Sequence, residues 1–467
     1  MPSLVGKKFN FIYSMVNVIK LRKGWDINLK GRANEQKTSL KQSHQYALVP
    51  DDFVGVVPKL CVHEGDDVKV GEALFVNKKF PEVKFASPVS GKVKSIVRGD
   101  RRKVMAVIVE ASQQQEFVDF GKKDVRSLSG DEVVEALLQA GLFGYVNQLP
   151  YAVSTHPQSK PKGIFVSAFR NMPLAGKFEF ELKGNEEAFQ AGLTALSKIA
   201  KTYLNIHVNQ TDKALTQASD VEITAFDGPC PSSNVGVQIN HLSPVNKGEV
   251  VWTVEPTAVI FMGRLFLTGK VNLMRTVAIA GSKVKNPQYV DALVGTPISD
   301  LLAGQISDKR EDEHVRIING NPLTGRKCEL TDFLGAHTSE VCVIPEGDQA
   351  DELLGWILPR TNQFSVSHSY FSWLSGKEKQ YDLDARVKGG ERHMIMSGEY
   401  DRVLPMDIYG EYLIKSLIAG DIDKQEQLGI YEVSPEDFAV AEFVDSSKLE
   451  LQKIVRNGLD ILRKENA

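Results

Sequence analysis

Four cysteines and one histidine are the residues of this chain best suited to redox or metal chemistry. The cysteines stand at positions 61, 230, 328 and 342, and no two of them form a CxxC pair. An iron–sulphur cluster generally needs four thiolates, several of them closely spaced, so the spacing argues against a cluster and against a disulfide framework. Cys328, His337 and Cys342 could supply three zinc ligands, but no fourth ligand is indicated. We predict no metal site and cysteines that are buried or inert.

A pair of lysines at a predicted hairpin tip is the next candidate. Residues 47–112 contain two turn-and-strand units, HEGDDVKVGEALF and ASPVSGKVKSIVRGD, with alternating Val or Ile on either side of each reversal. This quasi-repeat resembles the barrel-sandwich fold of biotinyl and lipoyl carriers, in which a lysine at a hairpin tip is acylated. The tip falls near Lys78 and Lys79. The residues that usually flank a carrier lysine are absent, so the alternative is a fold kept for packing and docking.

A loop that follows a predicted helix could approach a phosphate group. The helix, DEVVEALLQAG, starts after Ser129 and ends at Gly141. Backbone N–H groups reach a phosphate most easily where glycines leave room. The loop LFGYVNQLPYA contains a single glycine, Gly144. The Cβ atoms of the neighbouring residues would keep the backbone N–H groups away from a phosphate. No GxGxxG sits at a strand-to-helix turn of the domain that follows, and no GxxxxGK[ST] occurs in the chain. We predict no flavin or dinucleotide bound by this chain.

The elements around these candidates indicate an α/β domain with a parallel sheet. Residues 163–229 alternate between strands and a helix, through GIFVSAF, an amphipathic segment at 186–201, LNIHVN and VEITAF. The layout is Rossmann-like. The segment DGPCPSSNVGVQINHLSPVNKG is rich in Pro, Gly, Ser and Asn, which predicts a long surface connection.

Residues 252–302 predict a β-grasp module. Apolar residues alternate before and after the break Thr268-Gly269-Lys270, which is typical of a hairpin. A further strand is predicted over 276–280, and a short amphipathic helix over 290–293, ended by Gly295. The alternative is an ordinary connecting domain, since a fold alone does not give a function.

The segment after residue 350 is aromatic. Such residues more often belong to a core or an interface than to a cofactor site, yet here they are the most plausible apolar contact for a quinone or a membrane-embedded partner. They are Trp356, Phe364, Tyr370, Phe371 and Trp373.

The last part of the chain is predicted to form a small helical bundle. A first helix starts at Pro405 and closes at Gly420, the motif Ser434-Pro435-Glu436-Asp437 starts a second, and residues 449–463 form a third. No cysteine follows Cys342, so this bundle offers no thiolate for a cluster.

Size and charge exclude several classes of protein. A chain of 467 residues accommodates about three domains. The chain has 56 Lys and Arg residues and 59 Asp and Glu residues, so it has no excess of positive charge with which to bind nucleic acid. No apolar run approaches the roughly 20 residues that cross a bilayer. The first residues of the chain resemble a secretion signal only weakly. We therefore predict a cytoplasmic protein.

Several long segments together resemble the NqrA subunits of the sodium-translocating NADH:quinone reductases. They include IKLRKGWDINLKG, VHEGDDVKVGEALF, GRLFLTGKVNLMRTVAIAGSKVKNP, FLGAHTSEVCVIPEG and ERHMIMSGEYDRVLPMDIYGEYLIKSLIAGD. This family is related to the flavin-binding subunits of the Rnf complex and of respiratory complex I. The resemblance implies a peripheral subunit on the cytoplasmic face of the bacterial inner membrane. Its complex uses NADH, flavins, iron–sulphur centres and ubiquinone, and exports Na+.

We therefore expect a multidomain fold that combines α+β and α/β parts. The expected divisions are 1–14, a start-site extension; 15–112, a barrel-sandwich domain; 113–253, a Rossmann-like α/β domain; 254–350, a soluble-ligand-binding β-grasp (SLBB) domain; 351–400, an aromatic connecting segment; and 401–467, a helical bundle.

The expected role is that of a subunit without a redox cofactor or catalytic residues of its own. It would dock onto the other subunits, integral-membrane ones included, and the resemblance allows a quinone contact that residue types do not localise. One alternative is a soluble biotinyl- or lipoyl-like carrier or small-ligand-binding protein. Another is a free-standing flavin or NAD dehydrogenase with unusual loops, which would be coloured when purified.

Overall fold

The structure, a computed structural model, describes residues 17–307, 313–348, 357–376 and 378–466. Its strands form four sheets, and its helices cover two of them and fill the carboxyl-terminal part. The expected extension at 1–14 and the aromatic residue Trp356 lie outside the described residues. No helix among the described residues combines the length and the apolar content needed to cross a bilayer.

The first two strands join sheets that are built mainly from later parts of the chain. β1 (Asn17–Lys20) pairs in parallel with a strand at 222–227, and β2 (Lys37–Ser39) pairs in parallel with a strand at 288–293. The segment 17–39, which we call the amino-terminal strap, therefore links two sheets that lie outside the barrel, and it precedes the strands of the barrel itself.

The barrel-sandwich domain contains a four-stranded and a three-stranded sheet. Its strands are β3 (Gln45–Leu48), β4 (Pro58–Leu60), β5 (Asp67–Val68), β6 (Ala73–Asn77), β7 (Lys84–Ala86), β8 (Gly91–Arg98) and β9 (Val104–Ala111). The sheet orders are β3-β9-β8-β5 and β4-β6-β7. Phe53, Phe75 and Phe85 pack together and are fully buried, with the rings of Phe75 and Phe85 stacked and that of Phe53 tilted against them.

The α/β domain is organised around a seven-stranded sheet. Its elements are α1 (Gly130–Gln139), β10 (Val146–Leu149), β11 (Val153–Ser154), β12 (Ile164–Ser167), α2 (Phe178–Leu182), α3 (Glu186–Ile199), β13 (Thr202–His207), α4 (Lys213–Thr216), β14 (Glu222–Asp227), α5 (Val235–Leu242), β15 (Val251–Val254) and α6 (Pro256–Thr268). The order is β1-β14-β13-β12-β15-β10-β11, and β10 alone runs opposite to the other strands, antiparallel to both of its neighbours, β15 and β11. The predicted parallel strands and the predicted capping of α1 by Ser129 are confirmed.

Two glycines let α3 and α6 pack with their backbones in contact. A Cβ atom on Gly263 would lie 1.7 Å from the carbonyl oxygen of Ala188, and one on Gly192 would lie 2.1 Å from that of Val259. Only glycine fits at such distances, so both positions fix how closely the helices approach.

Two predictions in this region are wrong. The hairpin predicted around Thr268-Gly269-Lys270 is the end of helix α6, which Gly269 closes in a left-handed conformation. Ten of the thirteen residues of α6 are buried. The helix therefore lacks the polar face whose regular recurrence in the sequence identifies an amphipathic helix. The predicted surface connection after residue 227 contains α5, whose Gln238 and Asn240 are buried and hydrogen-bonded.

The β-grasp domain contains a six-stranded sheet with the order β19-β18-β20-β16-β17-β2. Its elements are β16 (Met274–Ala280), β17 (Gln288–Leu293), α7 (Ile298–Leu301), β18 (Val315–Asn319), β19 (Arg326–Cys328) and β20 (Glu340–Pro345). The helix predicted over 290–293 is wrong, because these residues belong to β17 and pair with β16 and β2. From these elements we propose that the boundary between the α/β and β-grasp domains lies near residue 272.

The carboxyl-terminal part is helical. Its helices are α8 (Glu399–Val403), α9 (Gly410–Ala419), α10 (Ile422–Gln427), α11 (Ala439–Val444) and α12 (Leu451–Glu465). The predicted end at Gly420 and the cap at Ser434 are confirmed. The predicted start at Pro405 is wrong, because α9 begins at Gly410. The Asp407 N–H donates to the side chain of Asn240 on α5, which holds this stretch outside a helix.

Candidate functional site

A crevice opens where the strand order of the α/β sheet reverses. The chain passes from β12 to β13 and β14 on one side, and then returns to β15 on the other side of β12. In open α/β sheets, ligands bind outside the carboxyl ends of the strands at such a reversal. A cavity of about 420 Å³ lies at this point, and we take it as the candidate functional site.

All three later parts of the chain contribute to the walls of the crevice. Phe169, Arg170 and Met172 follow the end of β12, and Glu255 begins α6 directly after β15. The β-grasp domain supplies His337 and Glu340, and Glu436 comes from the helical part. The crevice therefore combines an apolar side, formed by residues after β12, with a strongly polar one.

An ion pair crosses the crevice between two domains. Nδ1 of His337 lies 3.3 Å from Oε1 of Glu255. Burial alone would lower the pKa of His337, but the carboxylates of Glu255 and Asp52 outweigh it and raise this pKa above its ordinary value. Conversely, His337 and two arginines outweigh burial and lower the pKa of Glu255. Nε2 of His337 is buried and has no hydrogen-bond partner among the described residues.

Arg170 is the second cation of the crevice. Both terminal nitrogens of its guanidinium donate to Oε2 of Glu181 at 3.1 Å, and one also donates to the hydroxyl of Thr257. Burial alone would lower the pKa of Arg170, but Glu181, Glu340 and Glu255 raise it. The guanidinium is therefore held in one orientation at the cavity wall.

The residues present do not suit a phosphate group. The N–H of Gly176, in the turn after β12, donates to Oε2 of Glu340 at 3.2 Å, so a carboxylate already accepts the hydrogen bond that a phosphate would need. Glu255 and Glu436 add two further carboxylates to the cavity wall. The loop glycine, Gly144, is buried, and a Cβ atom there would lie 2.4 Å from the ring of Phe85. That glycine serves packing against the barrel-sandwich domain.

The structure does not bring the candidate zinc ligands together. Cys328 pairs with Ile317 and Cys342 with Ile318 on neighbouring strands, and the two cysteines lie in separate clusters of the core. His337 faces the crevice instead. No group of three His, Cys, Asp or Glu side chains in the described ranges is arranged to hold a metal ion.

All four cysteines are free. Three of them are buried, and burial raises the pKa of the Cys328 thiol to about 12 and that of Cys230 further. Cys61 is exposed, and partial burial of its thiol raises its pKa as well. A raised pKa leaves little thiolate at neutral pH, which is the reactive form.

Lys78 and Lys79 lie where the sequence places them, in the turn between β6 and β7. Both are exposed. The neighbouring Phe80 stacks on His156 with ring centroids 4.6 Å apart, so the turn is packed against the α/β domain at its base.

The aromatic segment contains both packed and exposed side chains. Phe364 contacts Trp25, Tyr381 and Phe443 with ring centroids 5.3 to 5.9 Å apart, which anchors the segment to the rest of the chain. Five apolar side chains are instead between 47% and 65% exposed. These residues, which we call the exposed apolar patch, are Ile357, Leu358, Phe371, Trp373 and Leu374. The Phe371 N–H donates to the carbonyl of Pro359, which places the two halves of the patch side by side.

Sequence reasoning missed the main residues of the crevice. It considered His337 only as a zinc ligand and did not single out Arg170 or Glu255 as site residues. Both follow closely on the ends of parallel strands, β12 and β15. Charged residues at that position are a signal for a site in an α/β fold, and they could have been found this way.

Comparisons with known proteins cover most of the chain. Three domain models match: the "NqrA N-terminal barrel-sandwich hybrid domain" at residues 19–112, the "NqrA second alpha/beta domain" at 128–271 and the "NQRA C-terminal domain" of the SLBB type at 276–329. These matches confirm the predicted fold class.

Full-length relatives are similar over the same range. The NqrA subunit of the Na(+)-translocating NADH-quinone reductase of Yersinia pestis (strain Angola) is 35% identical over 454 residues, which cover 96% of this chain and 100% of that protein. The corresponding protein of Neisseria meningitidis (strain MC58) is 34% identical with the same coverage. Among solved structures, an NAD+-reducing [NiFe]-hydrogenase in the air-oxidized state matches with a TM-score of 0.33 and 13% identity, over 47% of this chain and 49% of that one.

Proposed function

The chain belongs to the NqrA family of Na+-translocating NADH-quinone reductase subunits, and from this premise we propose three features of its role. It is a peripheral subunit on the cytoplasmic face of the membrane complex that couples electron transfer from NADH to ubiquinone to Na+ export. It docks onto the other subunits, and it contacts quinone without binding a redox cofactor. The observation that carries this proposal is the similarity to NqrA relatives along 96% of the chain.

The exposed apolar patch supports the docking role. Its five side chains are at least 47% exposed, although each carries apolar surface that is stabilised by removal from water. A contiguous apolar surface of this kind typically marks an interaction site for a protein or a membrane. We propose that a hydrophobic subunit of the same complex covers it.

The contacts of the crevice support a role without flavin or dinucleotide. A phosphate would meet the carboxylates of Glu255, Glu340 and Glu436, and the backbone N–H of Gly176 already has an acceptor. The separate positions of the cysteines likewise argue against an iron–sulphur cluster held by this chain.

The same crevice supports a quinone contact. A quinone head group presents an apolar ring and two carbonyl oxygens that accept hydrogen bonds. Phe169 and Met172 offer an apolar wall, while Nε2 of His337 and the guanidinium of Arg170 offer donors. In small-molecule sites, a few fixed polar groups set the orientation of the ligand against apolar side chains. We propose that the ring lies between these two walls.

Copurification tests the proposed membership and docking. The chain, carrying an affinity tag, is expressed in its own organism and isolated in mild detergent. We expect flavin-containing integral-membrane subunits in the eluate, together with NADH:quinone reductase activity. Recovery of the chain alone, as a soluble monomer, would overturn the proposal.

A carrier role is the second candidate, because Lys78 and Lys79 lie exposed at the turn that bears the acylated lysine in carrier proteins. In that case one of the two lysines would carry a covalent group.

A further inference from the structure

A second cavity, of about 200 Å³, lies where the α/β domain meets the β-grasp domain. Arg264 on α6 and Lys183 before α3 line one side, and Arg275 on β16 and Asp291 on β17 line the other. The cavity shares no lining residue with the crevice. Because a water molecule occupies about 30 Å³ in the liquid, the space holds a small anion together with several waters.

The carboxylates of this cavity already have cationic partners. Oε2 of Glu181 accepts two hydrogen bonds from Arg170, a residue of the crevice. Oδ2 of Asp291 lies 2.8 Å from the ammonium group of Lys37. The charges of Glu181 and Asp291 are therefore balanced by Arg170 and Lys37, and not by the two arginines that line the cavity, Arg264 and Arg275.

Among the described residues, neither of those arginines has an anionic hydrogen-bond partner. Arg264 donates to two backbone carbonyls in the turn 272–274 and to the side-chain oxygen of Asn185, and Arg275 donates to the carbonyl of Ala336. Burial lowers the pKa of both guanidiniums, yet arginine remains protonated in proteins. Both guanidiniums thus donate only to neutral acceptors, and the nearby carboxylates, Glu181 with Asp291 or Glu255, act on them without a hydrogen bond. An anion that accepts hydrogen bonds from both would stabilise them further.

The free edge of Arg275 has the geometry of an anion receptor. Its side chain is almost fully buried, at 2% exposure, and its Nε and Nη2 atoms have no hydrogen-bond partner among the described residues. These two nitrogens form one edge of the guanidinium, with parallel N–H groups that match two oxygens of a carboxylate or phosphate. Asn185, the residue before the first turn of the fourteen-residue helix α3, also lines the cavity.

We propose that this cavity binds a small oxyanion, a phosphate or carboxylate group, held by the free edge of Arg275 and by Arg264 and Lys183. The ligand compensates both buried guanidiniums at once. Because its partners come from two domains, binding ties the α/β domain to the β-grasp domain. The site is separate from the proposed quinone contact and does not depend on it.

Isothermal titration of the full chain tests this proposal. Inorganic phosphate and malonate are titrated in turn at constant ionic strength, balanced with chloride. We expect saturable binding at one site, and the tighter of the two anions identifies whether the natural ligand carries a phosphate or a carboxylate. Arg264→Gln should weaken binding by about tenfold or more. Arg98→Gln, an exposed arginine on the barrel-sandwich domain, is the matched control and should bind as the wild type does.

Further variants protect the test against misfolding. Arg275→Gln should abolish binding, and circular dichroism shows whether it folds. If Arg275→Gln does not fold, Lys183→Gln serves as the test of binding. The Lys183 side chain is 60% exposed, so this substitution leaves the core intact. The proposal is overturned if the wild type binds neither anion saturably, or if Arg264→Gln and Lys183→Gln both bind with wild-type affinity.

Discussion

Nδ1 of His337 lies 3.3 Å from Oε1 of Glu255, and this ion pair joins the β-grasp domain to the start of helix α6. The rings of Phe53 and Tyr145 pack against the same imidazole, each with a centroid distance of 5.5 Å. These four residues come from three domains. The charge on His337 is therefore coupled to the way in which the domains hold together.

We predict that the chain loses stability as the pH rises above the ordinary histidine pKa of about 6.5 and through the raised pKa of His337 in the folded state. The pKa of His337 is raised in the folded state, because the carboxylates of Glu255 and Asp52 outweigh the opposite effect of burial. Stability from such a group is complete below the unfolded pKa of about 6.5 and is lost as pH passes through the folded pKa. His337→Gln should remove this pH dependence.

The expected cost of His337→Gln at pH 6 is about 1–2 kcal/mol, a value reduced for solvent screening. The reduction applies because the Glu255 side chain is 37% exposed. Urea midpoints at this pH and at a series of higher pH values measure both effects, and His241→Gln, an exposed histidine outside the crevice, is the control. An identical pH dependence in wild type and His337→Gln would contradict the prediction.

A second prediction concerns the quinone contact. In the assembled complex, His337→Gln should raise the KM for quinone by about tenfold and leave the KM for NADH unchanged, because a neutral amide donor replaces a charged imidazolium donor. Steady-state kinetics with varied quinone and varied NADH give both values. His241→Gln should leave both unchanged. A quinone KM that stays at the wild-type value in His337→Gln would exclude a contact in this crevice.

The exposed apolar patch yields a third prediction. The double substitution Phe371→Ser and Trp373→Ser should reduce copurification of the membrane subunits by about 100-fold, since buried aromatic anchors carry much of the affinity of an interface. The substitutions lie on exposed side chains, so the isolated chain should remain folded. Tyr409→Ser with Tyr412→Ser, another exposed aromatic pair, is the control. Equal yields from both double variants would argue against docking through this patch.

A fourth prediction tests the close approach of α3 and α6. Gly263→Ala places a Cβ atom 1.7 Å from the carbonyl oxygen of Ala188, so the helices must separate. We expect a loss of about 3 kcal/mol or more in the free energy of unfolding, at the upper end of overpacking effects. Gly390→Ala, where a Cβ atom meets nothing within 4 Å, should change it by less than about 0.5 kcal/mol. Chemical denaturation of both variants provides the comparison.

The fifth prediction separates the proposed role from a carrier or a free-standing dehydrogenase. The purified chain should be colourless, and its intact mass should equal that of the bare polypeptide. Replacing Lys78 and Lys79 together by Arg should leave the activity of the complex unchanged. A covalent adduct on either lysine would support the carrier role, and a bound chromophore in stoichiometric amount would show that the chain holds a prosthetic group.

The fold could be predicted where local pattern and tertiary environment agree. Helix α1 has a capping serine, one apolar face and a terminal glycine, and it forms as expected. Helix α6 also has terminal signals, with Pro256 in its first turn and Gly269 after its last. Because α6 is buried on nearly all sides, its sequence shows no helical periodicity of polar residues. The terminal signals alone did not outweigh the apparent strand-like alternation of apolar residues. Strand β1 could not be predicted, because it is short and its partner lies far away in the chain.

The crevice was harder to predict than the fold, for a physical reason. Its ion pair joins Glu255 to His337, which are distant in sequence and meet only when two domains pack together. The sequence could exclude glycine-rich phosphate loops and clustered thiolates, because those depend on local spacing. It could not reveal buried arginines that donate to neutral acceptors, because the surroundings of Arg275 come from other parts of the chain.

The amino-terminal strap has a consequence for synthesis on the ribosome. Strands β1 and β2 emerge first, but their partners β14 and β17 are translated much later. Domains usually fold as they leave the ribosome, from the amino terminus onward. Here β1 and β2 remain without their partner strands until residues 222–227 and 288–293 have been made. The nascent chain completes two sheets only when most of its length has been translated.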